Sequence, residues 1–127
     1  FIYYIYLYKS KMNTNNNMSQ DLPGTISNIV LFYIKKHYHN YLKENQISQI
    51  PENDIKEVVN SFYVEKETEL KKFIRNTMRK NFQDYDRNLA MKTGTEEIIL
   101  EMFDDRDFSV SRVSLEISNY QKGLNKN

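Results

Sequence analysis

Cysteine is absent from all 127 residues. Its absence removes a disulfide framework, a thiolate nucleophile and any sulfur-ligated metal site together. Tryptophan is absent as well, and there are only three glycines and two prolines. Gly24, Gly94 and Gly123 stand apart from one another, so no glycine-rich loop is available to cradle a phosphate. Few breakers beside 28% charged residues favour long helices over a sandwich. Eighteen basic residues nearly balance seventeen acidic ones, which leaves no bulk drive toward nucleic acid or membrane. Only two histidines occur, His37 and His39 in "KKHYHNY". Two residues apart on a helix they point to different faces, whereas helical zinc ligands need a spacing of four. Neither has a Ser or Asp companion for nucleophilic catalysis. They read as a half-buried His37 and a solvated His39. The expectation is a non-enzymatic protein with no catalytic residue, metal ligand or cofactor.

Tyrosine and phenylalanine are plentiful, ten and seven respectively. The length suits one domain with a core of its own. The chain starts "FIYYIYLYKSKMNTNNNMSQ". The run over residues 1–8 is short of the roughly 20 apolar residues a membrane span needs. It has neither the basic leader nor the cleavage site of a signal peptide, so the expected location is cytoplasmic. "NTNNN" is linker-like. Residues 1–17 therefore read as an apolar tail and residues 18–127 as a single helical domain. Such a tail is expected to dock in an apolar groove of its own subunit, or of a second copy to make a homodimer.

Periodicity supplies the helices. In "PGTISNIVLFYIKKHYHNYLKEN", Ile26, Ile29, Val30, Tyr33, His37 and Tyr41 recur at three- and four-residue steps. Leu31, Ile34, Tyr38 and Leu42 widen the stripe enough for more than one neighbour. Thr25 or Ser27 is expected to cap this helix. After "NQISQIP", a long helix is expected from the early fifties to Phe82. Its apolar set shifts from Ile55, Val58, Val59 and Phe62 to Leu70, Phe73, Ile74, Met78 and Phe82, which predicts a kink between Val64 and Lys66. "TEEIILEMFDD" makes a shorter helix capped by Thr93 or Thr95. "FSVSRVSLEISNYQKGL" makes the last, capped by Asp107 or Ser109 with Phe108 as a hydrophobic staple. The fold class is an all-α compact bundle of four or five helices with an apolar N-terminal tail. Its core is expected to contain Ile29, Val30, Phe62, Phe73, Ile99, Met102, Val113 and Ile117.

Three surfaces attract a functional reading. In "DYDRNLAMKTGTEE", Asp84, Asp86 and Asn88 fall at positions 1, 3 and 5 of an EF-hand loop. However, Leu89 stands where glycine makes the sharp turn and Thr95 where a bidentate glutamate belongs. A plain corner between helices is the preferred reading, and a degenerate calcium module the alternative. Lys71, Arg75 and Arg79 form a basic ladder that could track phosphates. The acid-rich "EEIILEMFDDRD" returns beside it, so internal pairing or solvation is preferred to nucleic-acid binding. Tyr38, Tyr41 and the corner at Phe103 and Phe108 are the expected edges of an apolar groove.

The segment "TEEIILEMFDDRDFSVSRVSLEISNYQ" also resembles the closing helix pair of the BART-like domain, the Arf-like GTPase-binding fold. Ile98, Ile99, Met102, Phe103, Asp107 and Phe108 stand in its characteristic places. "IKEVVNSFYVEKETELKKFI" is similar to the middle helix of that family, with Phe62, Tyr63, Leu70 and Ile74 matching. The resemblance covers residues 26–121. It implies an all-α docking domain whose partner is an Arf-like small GTPase.

Overall fold

The wide apolar stripe of the first helix makes it the spine of the molecule. The computed structural model describes residues 18–125. The tail over residues 1–17 lies outside the described residues, and with it the docking and the homodimer expected through it. Helix α1 runs Met18–Glu44. A 3-10 turn at Glu52–Asp54 leads into α2, Ile55–Glu65. Then come α3, Glu67–Asn81, α4, Leu89–Asp104, and α5, Asp107–Leu124. Among the described residues the chain is an all-α five-helix bundle. Helix α1 packs on α3, α4 and α5, as its two-sided stripe requires, while α2 packs mainly on α5 and α3. Ile26, Ile29, Val30, Leu31, Tyr33, Ile34 and Tyr38 are all buried.

The expected cap at Thr25 or Ser27 does not form, because α1 begins earlier, at Met18, and carries Pro23 inside it. Near a helix start, proline removes only one backbone bond, and the remaining turns carry the helix through. Thr25 is instead wholly buried, and its hydroxyl finds no partner. At the other end Gln46 takes a left-handed φ of 56°. Ile47 N donates to Leu42 O at 3.0 Å and Gln46 N to Lys43 O at 3.2 Å, so α1 ends in a Schellman motif.

The long helix expected from the fifties to Phe82 divides at Lys66, whose φ of −113° and ψ of 25° leave the helical region. The break lies inside the window where the apolar face shifts. It is slight, since Lys66 N still donates to Phe62 O and Leu70 N to Lys66 O. Helix α4 starts six residues before Thr95. Asn88 caps it by accepting from Met91 N at 3.0 Å, and Thr95 is buried, so neither Thr93 nor Thr95 is the cap. The staple at Phe108 fails for a rotational reason. Val110, Val113 and Ile117 turn inward, which leaves Phe108 on the opposite face with Arg112 and Leu115, 77% exposed. Ser109 pairs its hydroxyl with Tyr63 at 2.5 Å instead of capping α5. Burial pushes the Tyr63 phenol up to about 12, against the pull of Ser109. Of the expected core, only Phe73 is less than buried. It lies half-covered between the rings of Phe32 and Tyr33, with Lys36 Nζ 5.8 Å from its ring centre.

Two buried polar groups differ in what they do for stability. Gln121, on α5, makes three hydrogen bonds. It accepts from Tyr38 Oη at 2.7 Å and from Ile50 N at 2.8 Å, and donates to Ile50 O at 2.8 Å. Thr25 makes none. Gln121→Ala should lower unfolding stability by about 3 kcal/mol, since it strands three buried groups. Thr25→Val, which keeps the shape and deletes an unsatisfied hydroxyl, should gain roughly 1 kcal/mol. Urea denaturation with unchanged m-values checks both, and a destabilised Thr25→Val would mean that the hydroxyl is satisfied after all.

Candidate functional site

The basic ladder is answered residue by residue. Lys71 holds Glu67 of its own helix at 2.6 Å. Arg75 reaches across to α4 and grips Glu96 with two bonds, 2.8 and 2.7 Å. Arg79 donates to Asp86 at 3.1 Å and to Asn76 at 3.3 Å. The bond from Arg75 holds the Glu96 carboxyl below its ordinary range, with the charges of Arg75, Arg79 and Lys71 adding to it against a smaller opposing effect of burial. The same bond raises the Arg75 guanidinium. The acidic helix does therefore return beside the basic one.

The calcium-like stretch is a corner in which the second half of a twelve-residue loop is helical, since α4 starts at Leu89. Its would-be ligands hold other groups. Asp84 pairs with Arg87 at 3.1 Å, Asp86 with Arg79, and Asn88 caps α4. No group of three or more His, Asp or Glu among the described residues could hold a metal ion. Tyr85, between those acids, is a buried core residue that periodicity passes over because it lies in a turn.

The expected tyrosine-edged groove is dispersed by the packing. Tyr38 is buried against Gln121, with its ring edge-on to Tyr120 at 5.4 Å. Phe103 is buried beside Tyr63, at 5.3 Å between ring centres, while Phe108 faces outward from the other side of the corner. Tyr41 alone of that set borders a concavity, and this one is elsewhere.

Helices α1 and α2 follow one another in sequence but splay apart. Between them lies a cleft of about 660 Å³. Its floor is Tyr33, Tyr41, Val58 and Phe62. The Tyr33 and Phe62 rings meet edge to face at 6.4 Å, and Tyr41 tilts onto Phe62 at 6.1 Å. Asn45 and Asp54 close one end, and Lys66 and Glu69 the other. Its walls carry Glu44 from α1 and Glu57 and Glu65 from α2, with Asn40 and His37 between them. His37 is half-buried, its ring 4.5 Å from that of Tyr33, and His39 is exposed. Burial, then the negative charge of Asp54, Glu57 and Glu65, raises the Tyr41 phenol. Burial, then Glu69, does the same for Tyr33, whose hydroxyl donates to Glu69 Oε2 at 3.4 Å.

The acids of this cleft contrast with the ion-paired acids of the bundle. Glu67, Glu96, Asp84, Asp86 and Glu52 each have a basic partner within 4.0 Å. Among the described residues, Glu44, Asp54, Glu57, Glu65 and Glu69 have none. The cleft had little signal in the sequence. Its walls come from segments on either side of a loop, and Glu65 and Glu69, four apart, are the one hint that they share a face.

The Arg75–Glu96 pair gives a pH signature with a defined sign. Glu96 has a depressed folded-state pKa, so its contribution is complete above the unfolded carboxylate value and is lost as pH falls through the folded one. Both side chains are more than a third exposed, which keeps the contribution under about 1 kcal/mol. Glu96→Gln should be slightly less stable than the parent at neutral pH and equal to it in strong acid, as read by denaturation at both. Comparisons with protein families, with curated proteins and with solved structures find no match for this chain. No helix among the described residues is long and apolar enough to cross a membrane.

Proposed function

We propose that this chain is a non-enzymatic protein-binding domain, an adaptor, and that one face of a partner's amphipathic helix docks in the cleft between α1 and α2. One observation carries this reading: a single cleft gathers five carboxylates, none with a basic partner among the described residues, around an aromatic floor. Apolar surface under a polar rim is the anatomy of a docking site. The stretch of α1 from Tyr33 to Glu44 spans about 18 Å at 1.5 Å per residue, or three turns of a partner helix. A concavity of this size admits the side chains of one helical face rather than an entire helix. The resemblance to the BART-like domain brings in a second class of partner, an Arf-like small GTPase. The cleft itself supports the helix.

The basic ladder supplies the competing surface. Nucleic acid would have to displace Glu67, Glu96 and Asp86 from Lys71, Arg75 and Arg79, which weakens that reading without any new contact being made.

Amide chemical shifts decide between the surfaces. Titration with a leucine-faced helical peptide of mixed charge should move the resonances of His37, Asn40, Tyr41, Ser61 and Glu65. Asn40→Trp, which fills the cleft from an exposed position, should weaken binding at least about tenfold with the fold unchanged. Shifts centred on the Phe108 and Leu115 face, or oligonucleotide-induced shifts centred on Lys71 and Arg75, would replace the cleft with that surface.

A further inference from the structure

We infer that the occupant of the cleft is a cationic helix, one that presents lysine or arginine at a two-turn spacing beside an apolar strip. This rests on the adaptor reading above and specifies the partner's chemistry. Five carboxylates border the cleft, Glu44, Asp54, Glu57, Glu65 and Glu69, against one ammonium, Lys66, and one imidazole, His37. The glutamates are exposed, so their negative charge is held at the rim and not buried against the floor.

Their arrangement has a direction. Glu57 and Glu65 lie eight residues apart on α2, two turns, or about 12 Å along the axis. A helix laid parallel or antiparallel to α2 meets them with two cations at the same spacing, i and i+7 or i+8. Glu44 faces the cleft from the opposite wall and Glu69 from one end, so a cation entering the middle is flanked on more than one side. Beneath the rim, Tyr33, Tyr41 and Phe62 form a cluster of rings. Ring faces and carboxylates attract the same ligand groups, since an ammonium or guanidinium is drawn to both. Arginine fits best, because its flat guanidinium can stack on a ring and still present a fork to a carboxylate. Val58 and the ring edges take the partner's apolar strip.

An acidic helix meets the opposite conditions. It would set its own carboxylates against these five with no cation but Lys66 to receive them, a like-charge juxtaposition that rejects it.

The test uses the full chain and two synthetic helices of about four turns. They share a leucine strip and differ only in bearing lysine or glutamate on the flanks. Fluorescence anisotropy at low and at physiological salt gives the affinities. The lysine peptide should bind at least about tenfold more tightly, with affinity falling as salt rises. Glu57→Lys combined with Glu65→Lys should weaken it about tenfold, since each rim charge contributes a few-fold. Glu97→Lys combined with Glu101→Lys makes the same change in net charge on α4, away from the cleft, and should leave the affinity within about twofold.

Each other outcome overturns something specific. Equal binding of both peptides, blocked in both cases by Asn40→Trp, leaves a helix-docking cleft and sinks the cationic assignment. Equal weakening by the α2 and α4 charge reversals reduces the preference to net charge and sinks it too. No binding of either peptide removes the cleft reading on which the assignment rests.

Discussion

The side-chain amide of Gln121 is the interaction on which the rest of the arrangement turns. It pairs with both the N–H and the carbonyl of Ile50, as a neighbouring strand would, and takes the Tyr38 hydroxyl on the same oxygen. One buried residue thus ties α5 to α1 and to the loop between α1 and α2. Its neighbours along α5 extend the seam. Ser118 donates to Glu52, Lys122 lies 3.8 Å from the same carboxylate, and Asn125 donates to Gln49 at 2.6 Å. Positions 118, 121, 122 and 125 follow the helical repeat, so a single stripe of α5 holds the whole connection. Because α5 captures this loop, α2 starts against α5 and not against α1. The splay between α1 and α2, and with it the cleft, follows from where Gln121 holds Ile50.

Much of the fold was legible because helix periodicity is a packing signal. The two-sided stripe of α1 predicts several neighbours and has three. The spacing of Val110, Val113 and Ile117 predicts the buried face of α5, and that face is buried. What escaped has a common cause. Gln121, Ser109, Ser114 and Ser118 are buried polar residues on the same helix. A reading that takes polar residues for surface assigns them outward. They turn inward because each has, or can reach, a partner: Tyr38 and Ile50 for Gln121, Tyr63 for Ser109, Glu52 for Ser118, and for Ser114 the Val110 carbonyl one turn back. The caps failed for the converse reason. Thr25 and Thr95 resemble caps in sequence, but they sit at helix positions rotated into the core, where small size counts for more than a hydroxyl.

The candidate site was less legible than the fold because charge in a sequence carries no record of pairing. Lys71, Arg75 and Arg79 attract attention as a run, and that run is matched by acids from its own helix, from α4 and from the corner. The carboxylates of the cleft attract none, since Glu44 is separated from Glu57 and Glu65 by a loop and a 3-10 turn. Only the antiparallel course of α1 and α2 makes them face one another. Helix α3 divides its acids in the same way: Glu67 turns to Lys71, while Glu69, two residues on, faces the cleft and meets the Tyr33 hydroxyl. A period of 3.6 residues separates those two roles, which the string "EKETEL" cannot do without knowing what lies on either side.

Helix α1 shows why the bundle closes at one end and opens at the other. Near its start the approach to α4 is tight: a Cβ placed on Gly94 would come within 3.0 Å of Leu22 Cδ2. Thr25 and Thr95 are both wholly buried, the first without a partner and the second close to the Tyr85 phenol but outside hydrogen-bonding geometry. Close packing there outweighs an unsatisfied hydroxyl, because atoms facing a gap forfeit their dispersion attraction outright. Toward its end α1 meets no such neighbour on the α2 side, and its residues change accordingly: His37, Asn40, Tyr41 and Glu44 replace Leu22, Ile26 and Ile29. Amphipathic side chains tolerate a wet wall that Ile or Leu would not. The composition of α1 therefore matches a helix clamped in the core at its start and bordering an open, acidic cleft at its end. Collapse of α2 onto α1 would bury Glu44, Glu57 and Glu65 against one another, and that repulsion helps to keep the cleft open.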